Sequence, residues 1–139
     1  MNQITKTLHT GKTKTTGGRD SGVSRSSDGL LDIRLSKPGS ARIGTNPEQL
    51  FAAGWSASFV DAIAIAARNR KIVLGAKVSV EAEVDLNLDE DGYSLSSRLT
   101  VTIQGLDRVI AKNLIDEAEK VCPYSKATRS NVEVTIELI

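Results

Sequence analysis

The feature that most restricts the fold is a run of eighteen residues, Leu50 to Ala67, apolar almost all round and interrupted only by Gly54, Ser56, Ser58 and Asp61. Thr45-Asn46-Pro47-Glu48 precedes it, and its cap-type residues, early proline and glutamate three after the threonine predict a helix start. Eighteen residues suffice for a bilayer on length alone. Asp61 would then sit mid-membrane, however, and alanine and glycine dilute the hydrophobicity. The expectation is a soluble core helix buried on most sides, with no membrane partner. A buried Asp61 needs a partner, and a structural salt bridge is the first expectation.

Strand patterns surround that helix. Residues 3 to 16 are Thr-rich and weakly alternating, which suits an edge strand, and Gly17-Gly18-Arg19-Asp20 makes a turn. The segment from Gly22 to the Asp28-Gly29 pair, followed by Leu31 to Leu35, reads as a β-hairpin, and Lys37 to Gly44 reads as a loop. Lys77 to Leu88 alternates cleanly, turns at Asp89 to Gly92 and returns to about Gln104, an antiparallel hairpin. From Asp107 to Val121, Val109, Ile110, Leu114, Ile115, Ala118 and Val121 recur at helical spacing, and Pro123 is expected to stop the helix. Val132, Val134, Ile136 and Leu138 mark a last strand. The fold class is therefore α+β, without βαβ alternation, in one domain over 1–139.

Charge and cysteine count narrow the chemistry. Eighteen basic and seventeen acidic residues give a net charge of +1 with no basic stripe, which argues against nucleic acid as a partner. The N-terminal residues contain no apolar h-region, so a cytoplasmic location is expected. One cysteine, Cys122, and one histidine, His9, allow no intramolecular disulfide and no soft-ligand zinc site. No metal or cofactor is expected.

Four stretches, taken together, resemble the Ohr branch of the OsmC/Ohr family. They are Gly17 to Asp20, Gly44 to Phe59, Val121 to Arg129 and the closing strand. The resemblance implies antiparallel sheets enclosing two main helices in an intertwined homodimer. It also implies reduction of organic hydroperoxides to alcohols, with electrons from a lipoyl-bearing protein or a dithiol. In the family the position of Ser58 holds the peroxidatic cysteine, Cys122 matches the resolving cysteine, and Arg19 and Glu48 match the pair that orients and activates the thiolate. Phe51, Trp55, Phe59 and Tyr124 are expected to line an apolar pocket for alkyl or fatty-acid hydroperoxides.

Read without the family, each of these residues has a plainer role. Glu48 is a capping-box partner for Thr45, Arg19 a solvated turn residue, Cys122 a small buried hydrophobe, and Phe51 and Phe59 core. If Glu48 and Ser58 lay on one straight helix, ten residues would separate them by about 15 Å. Either the helix breaks near Gly54, or Glu48 of one subunit meets Ser58 of the other.

Ser58 removes the atom that attacks peroxide, because a hydroxyl is neither appreciably ionised near neutral pH nor oxidisable to a sulfenic acid. A Ser/His/Asp hydrolase is poorly supported, since no histidine is near and Gly54-Trp55-Ser56-Ala57-Ser58 is not a Gly-x-Ser-x-Gly elbow. An engineered Cys-to-Ser change or a natural variant accounts for the serine. The chain is expected to bind hydroperoxide without reducing it efficiently. The alternative is a non-catalytic member of the fold that holds a small hydrophobic ligand.

Overall fold

The glycine-punctuated N-terminal stretch forms three short antiparallel strands, β1 (Thr13–Thr16), β2 (Val23–Ser26) and β3 (Asp32–Arg34), in the order β1-β2-β3. The structure, a computed structural model, describes residues 5–74 and 77–139. Two units are compact by themselves, Met1–Pro47 and Glu48–Ile139.

In the first unit the expected strand over 3–16 shortens to Thr13–Thr16, where Val23–Ser26 lie opposite to pair with it. Residues 3 and 4 of that stretch lie outside the described residues. The turn carrying Arg19 depends on glycine: Gly17 has φ +78°, and a Cβ on Gly22 would fall 2.6 Å from the Gly18 carbonyl oxygen. The Gly22 N–H donates to that same oxygen at 2.8 Å. At the next turn Asp28 accepts from the Ser26 hydroxyl at 2.5 Å and the Leu30 N–H at 3.0 Å, which holds its carboxyl below the usual range. Residues 36–44 close as a loop, with the Ser36 N–H on the Thr45 carbonyl and Arg42 Nε on the Leu35 carbonyl.

The second unit opens with α1 (Pro47–Asn69), which takes proline in its first turn and places Glu48 where the helix dipole favours an acid. The helix is long and apolar enough by composition to cross a membrane, yet one stripe of it packs into a protein core. Trp55, Phe59, Ala62, Ile63, Ala66 and Ala67 recur at helical spacing and are buried. Ala53, Ala57 and Asp61 form one exposed line, and every other residue from Leu50 to Ala67 is buried or half-buried, so the expected cover on most sides holds while Asp61 falls on the uncovered line. Asp61 accordingly needs no buried counter-charge, and it makes no ion pair among the described residues.

β4 (Val78–Asp89) and β5 (Gly92–Ile103) pair as the expected antiparallel hairpin over their whole length. α2 (Arg108–Val121) follows, capped by Asp107, whose carboxylate accepts from the Val109 and Ile110 N–H groups. Ala111, Leu114, Ile115 and Ala118 form its buried stripe, whereas Val109, Ile110 and Val121 are exposed. Pro123 ends α2 but also begins a further short helix, α3 (Pro123–Thr128), because its fixed φ suits a first helical position. β6 (Glu133–Leu138) then joins β5 in parallel. The expected antiparallel arrangement thus holds for every other strand pair, and β6 differs because a helical crossover returns the chain in the same direction.

The core lies between this sheet and the helices. Trp55, Phe59 and Ile63 meet Leu99, Val101 and Leu138 from the sheet and Ala111, Ile115, Ala118 and Cys122 from the α2 side. Each large side chain fully buried there contributes roughly 1.5–3 kcal/mol of apolar transfer. Arg70, just past α1, ion-pairs with Glu117 of α2. On the sheet's outer face, Arg98 donates to both carboxylate oxygens of Asp85 at 2.7 Å, and the Ser96 hydroxyl adds a bond at 2.6 Å. These bonds, Arg98's first, hold the Asp85 carboxyl at about 2, against an ordinary 3.8.

Candidate functional site

Ser58 lies at the edge of the buried stripe of α1, half-covered, one turn beyond Trp55. Cys122 is fully buried at the junction of α2 and α3, its extended backbone (φ −63°, ψ 121°) capping both helices. The Cys122 thiol faces the Ser58 hydroxyl, with Sγ and Oγ 3.5 Å apart. Separated by sixty-four positions in sequence, the two side chains are in contact in the fold.

More contacts run along the same seam. Gly54 lies against Tyr124, and a Cβ on it would come within 3.0 Å of the tyrosine oxygen. Glycine here permits close approach; it does not break the helix, which is continuous from Pro47 to Asn69. Of the two ways to unite Glu48 and Ser58, a break near Gly54 is therefore ruled out, and on one unbroken helix they stand about 15 Å apart. Phe51 packs edge-on to Trp55 and to Tyr124, with ring centroids 5.7 and 6.3 Å apart. Phe59, one turn on, is fully enclosed in the core.

A contact that sequence reading did not anticipate lies next to the pair. The Trp55 indole Nε1–H donates to the Ser125 hydroxyl at 3.2 Å, with both residues buried. Beyond them a cleft of about 180 Å³ is bordered by Trp55, Ser125, Thr128, Arg129, Val134 and Ile136. Of the aromatic residues expected to line a pocket, Trp55 alone borders this cleft. A tryptophan buried beside a serine-bearing short helix is the only sequence signal for the contact, and with Pro123 read as a stop there was no helix to carry the serine.

Arg19 belongs to the first unit and is exposed on its Gly-Gly turn, while Glu48, Ser58 and Cys122 belong to the second. The second unit on its own thus offers a hydroxyl and a thiol in contact, flanked by aromatic rings. With sulfur at both positions this spacing would allow sulfenic-acid formation and disulfide closure.

Comparison with known proteins identifies the family. A family model described as OsmC-like protein covers residues 38–137. The chain belongs to the OsmC/Ohr family. It is 41% identical over 137 residues to the organic hydroperoxide resistance protein of Xanthomonas axonopodis pv. citri, covering 96% of each chain. It is 41% identical over 136 residues to organic hydroperoxide resistance protein OhrB of Bacillus subtilis, covering 94% of this chain and 98% of that one. The crystal structure of the Bacillus subtilis protein superposes with a TM-score of 0.89, covering 96% of this chain and all of the other. A Legionella pneumophila organic hydroperoxide resistance protein gives the same TM-score at 42% identity over 96% of this chain and 98% of its own.

Proposed function

We propose that this chain is a peroxide-detoxification protein of the OsmC/Ohr family. In this reading position 58 is the peroxidatic position and Cys122 the resolving one. The observation that carries the reading is the 3.5 Å contact between Ser58 Oγ and Cys122 Sγ. The two positions paired by the family resemblance are the two that the fold brings together.

The reaction needs a thiolate that attacks the distal peroxide oxygen, leaving a sulfenic acid and releasing the alcohol. A second thiol then displaces water to close a disulfide, which a lipoyl-bearing protein or dithiol reopens. A cysteine on the half-covered side of α1 would need a nearby guanidinium to remain ionised, and Arg19, oriented by Glu48, takes that role. Glu48 stands about 15 Å along the helix from Ser58, so it serves the site of the other subunit in a homodimer. Two exposed faces support such a dimer: the Ala53, Ala57 and Asp61 side of α1, and the apolar inner face of the β4–β5 hairpin tip, where Leu86, Leu88 and Tyr93 are exposed. Phe51, Trp55 and Tyr124 supply the apolar surroundings for an alkyl or fatty-acid hydroperoxide, and Phe59, enclosed in the core, backs them rather than meeting the substrate. The protein works in the cytoplasm.

With serine at position 58 the first step lacks its nucleophile, and the chain binds hydroperoxide without reducing it efficiently. The second reading is a non-catalytic protein that holds a small hydrophobic ligand; the cleft beside Trp55 mixes Val132, Val134 and Ile136 with Glu119, Arg129 and hydroxyl side chains. A coupled assay with an organic hydroperoxide and a dihydrolipoyl reductant separates them. Turnover by Ser58→Cys and not by the parent chain supports the peroxidase scaffold. Equal turnover by both removes Ser58 from its assigned role, and an inactive Ser58→Cys that binds a lipid-like ligand favours the second reading.

A further inference from the structure

Three contacts join α1 to the Cys122–α3 segment. Gly54 meets Tyr124, Trp55 meets Ser125 and Ser58 meets Cys122. Trp55 and Ser58 are one turn apart on α1, and Cys122 and Ser125 are one turn apart across the start of α3. The indole–hydroxyl bond is therefore a rung beside the oxygen–sulfur contact.

α3 has six residues, too few to hold a helix or an orientation by local bonding alone. Cys122 makes no side-chain cap bond to it. On the α2 side the cysteine is held by its own N–H on the Ala118 carbonyl at 2.8 Å. On the α3 side the buried side-chain hydrogen bond reaching α1 is Trp55 Nε1 to Ser125 Oγ. Deleting either partner leaves a buried polar group unsatisfied and removes the hydrogen bond that ties α3 to α1 beside the Cys122 junction.

We propose that Trp55 and Ser125 are a positioning pair that sets the distance between the reacting atoms at positions 58 and 122, and hence the rate of disulfide closure. The inference rests on the function proposed above, and neither residue is assigned a role in the attack on peroxide by this hydrogen bond. In a chain carrying Ser58→Cys, hydroperoxide takes the thiolate at 58 to a sulfenic acid and leaves as the alcohol. The Cys122 thiol then attacks that sulfur, the S–O bond breaks, and the hydroxyl departs with a proton as water. The geometric demand falls on this second step.

The test compares Ser58→Cys alone with the same chain carrying Ser125→Ala or Ser125→Thr. Acid-quenched samples are resolved by mass into thiol, sulfenic acid and disulfide after one equivalent of cumene hydroperoxide. Ser125→Ala should lower the ratio of closure rate to first-step rate about tenfold, the equivalent of about 1.4 kcal/mol and the size of one buried hydrogen bond. Ser125→Thr, which keeps the hydroxyl, should restore the ratio to within about twofold of the parent. Equal ratios in all three chains, or a loss shared equally by both steps, would overturn the proposal.

A parallel series replaces hydroperoxide with diamide, whose N=N bond accepts the two electrons and two protons of the thiol pair. If Ser58→Cys consumes no hydroperoxide, the functional reading fails while the diamide series still ranks the variants. Failure of diamide to close the 58–122 disulfide in the parent, or closure at one rate in all three, overturns the positioning role itself.

Discussion

The two units of this chain are built on opposite terms. Residues 48–139 contain two strands of twelve residues, a helix of fourteen, all but the first residue of a helix of twenty-three, and a large apolar core. Among the described residues of the first unit the longest strand has four residues, and only Gly22, Ser24, Leu35 and Ser36 are buried. It is held by a backbone ladder and side-chain turns, and a small sheet without an apolar face has little stability of its own. In the proposed reaction the reacting atoms sit on the self-sufficient unit and the activating guanidinium on the other. Geometry is thereby assigned to the unit with the larger core, and charge to the unit with the smaller one.

The sharpest way to break this contrast is to attack each unit's packing. Phe59→Ala should cost about 3–5 kcal/mol in urea unfolding, because it empties a fully enclosed site. Leu30→Ala, at a residue 89% exposed in the first unit, should stay within about 0.5 kcal/mol. Comparable losses would mean that the first unit has a core of its own.

The next effect in size is chemical. Restoring sulfur with Ser58→Cys should raise hydroperoxide turnover on the order of a hundredfold or more. In that background Arg19→Ala should slow the first step about tenfold near neutral pH and move its pH profile upward by about one unit, if Arg19 is the cation that the proposed function assigns to the thiolate. Thiol loss followed by mass across pH 5–9 reads both changes. An unshifted profile would separate the first unit from the chemistry.

The smallest effect tests whether charge matters to the second unit's sheet. The folded Asp85 carboxyl is held at about 2, below its ordinary 3.8. Its contribution is therefore complete above about pH 4 and is lost as pH falls through 2. Denaturation midpoints should be flat with respect to this group from pH 5 to 8 and decline below 4, and Asp85→Asn should remove part of that decline. An identical acid profile in the variant would show that the Arg98 pairing does not contribute.

Much of the second unit was legible because its periodicities are long. The alternation from Val78 to Leu88 and the apolar run from Leu50 fix a hairpin and a helix whatever their partners. What escaped depended on partners. Pro123 is equally a stop and a start, so α3 and its Ser125 stayed hidden. Asp61 looked buried because its neighbours are apolar, yet it projects from the uncovered side of α1. The parallel course of β6 follows from the crossover, which strand alternation does not encode. In the site, the types and positions of Ser58 and Cys122 were visible from their motifs, whereas the Trp55–Ser125 bond arises only when two helices meet.

The parallel docking of β6 also bears on the order of events during folding. β4 and β5 are joined by a tight turn and can pair at once, but β6 reaches β5 only after α2 and α3 have been carried across the sheet. Cys122 lies inside that crossover. If β6 docks last, a newly made chain should present its thiol to solvent until that pairing is complete, and then conceal it. Pulsed alkylation during refolding should show Cys122 losing reactivity in the phase that docks β6, and earlier protection would place the crossover ahead of the strand.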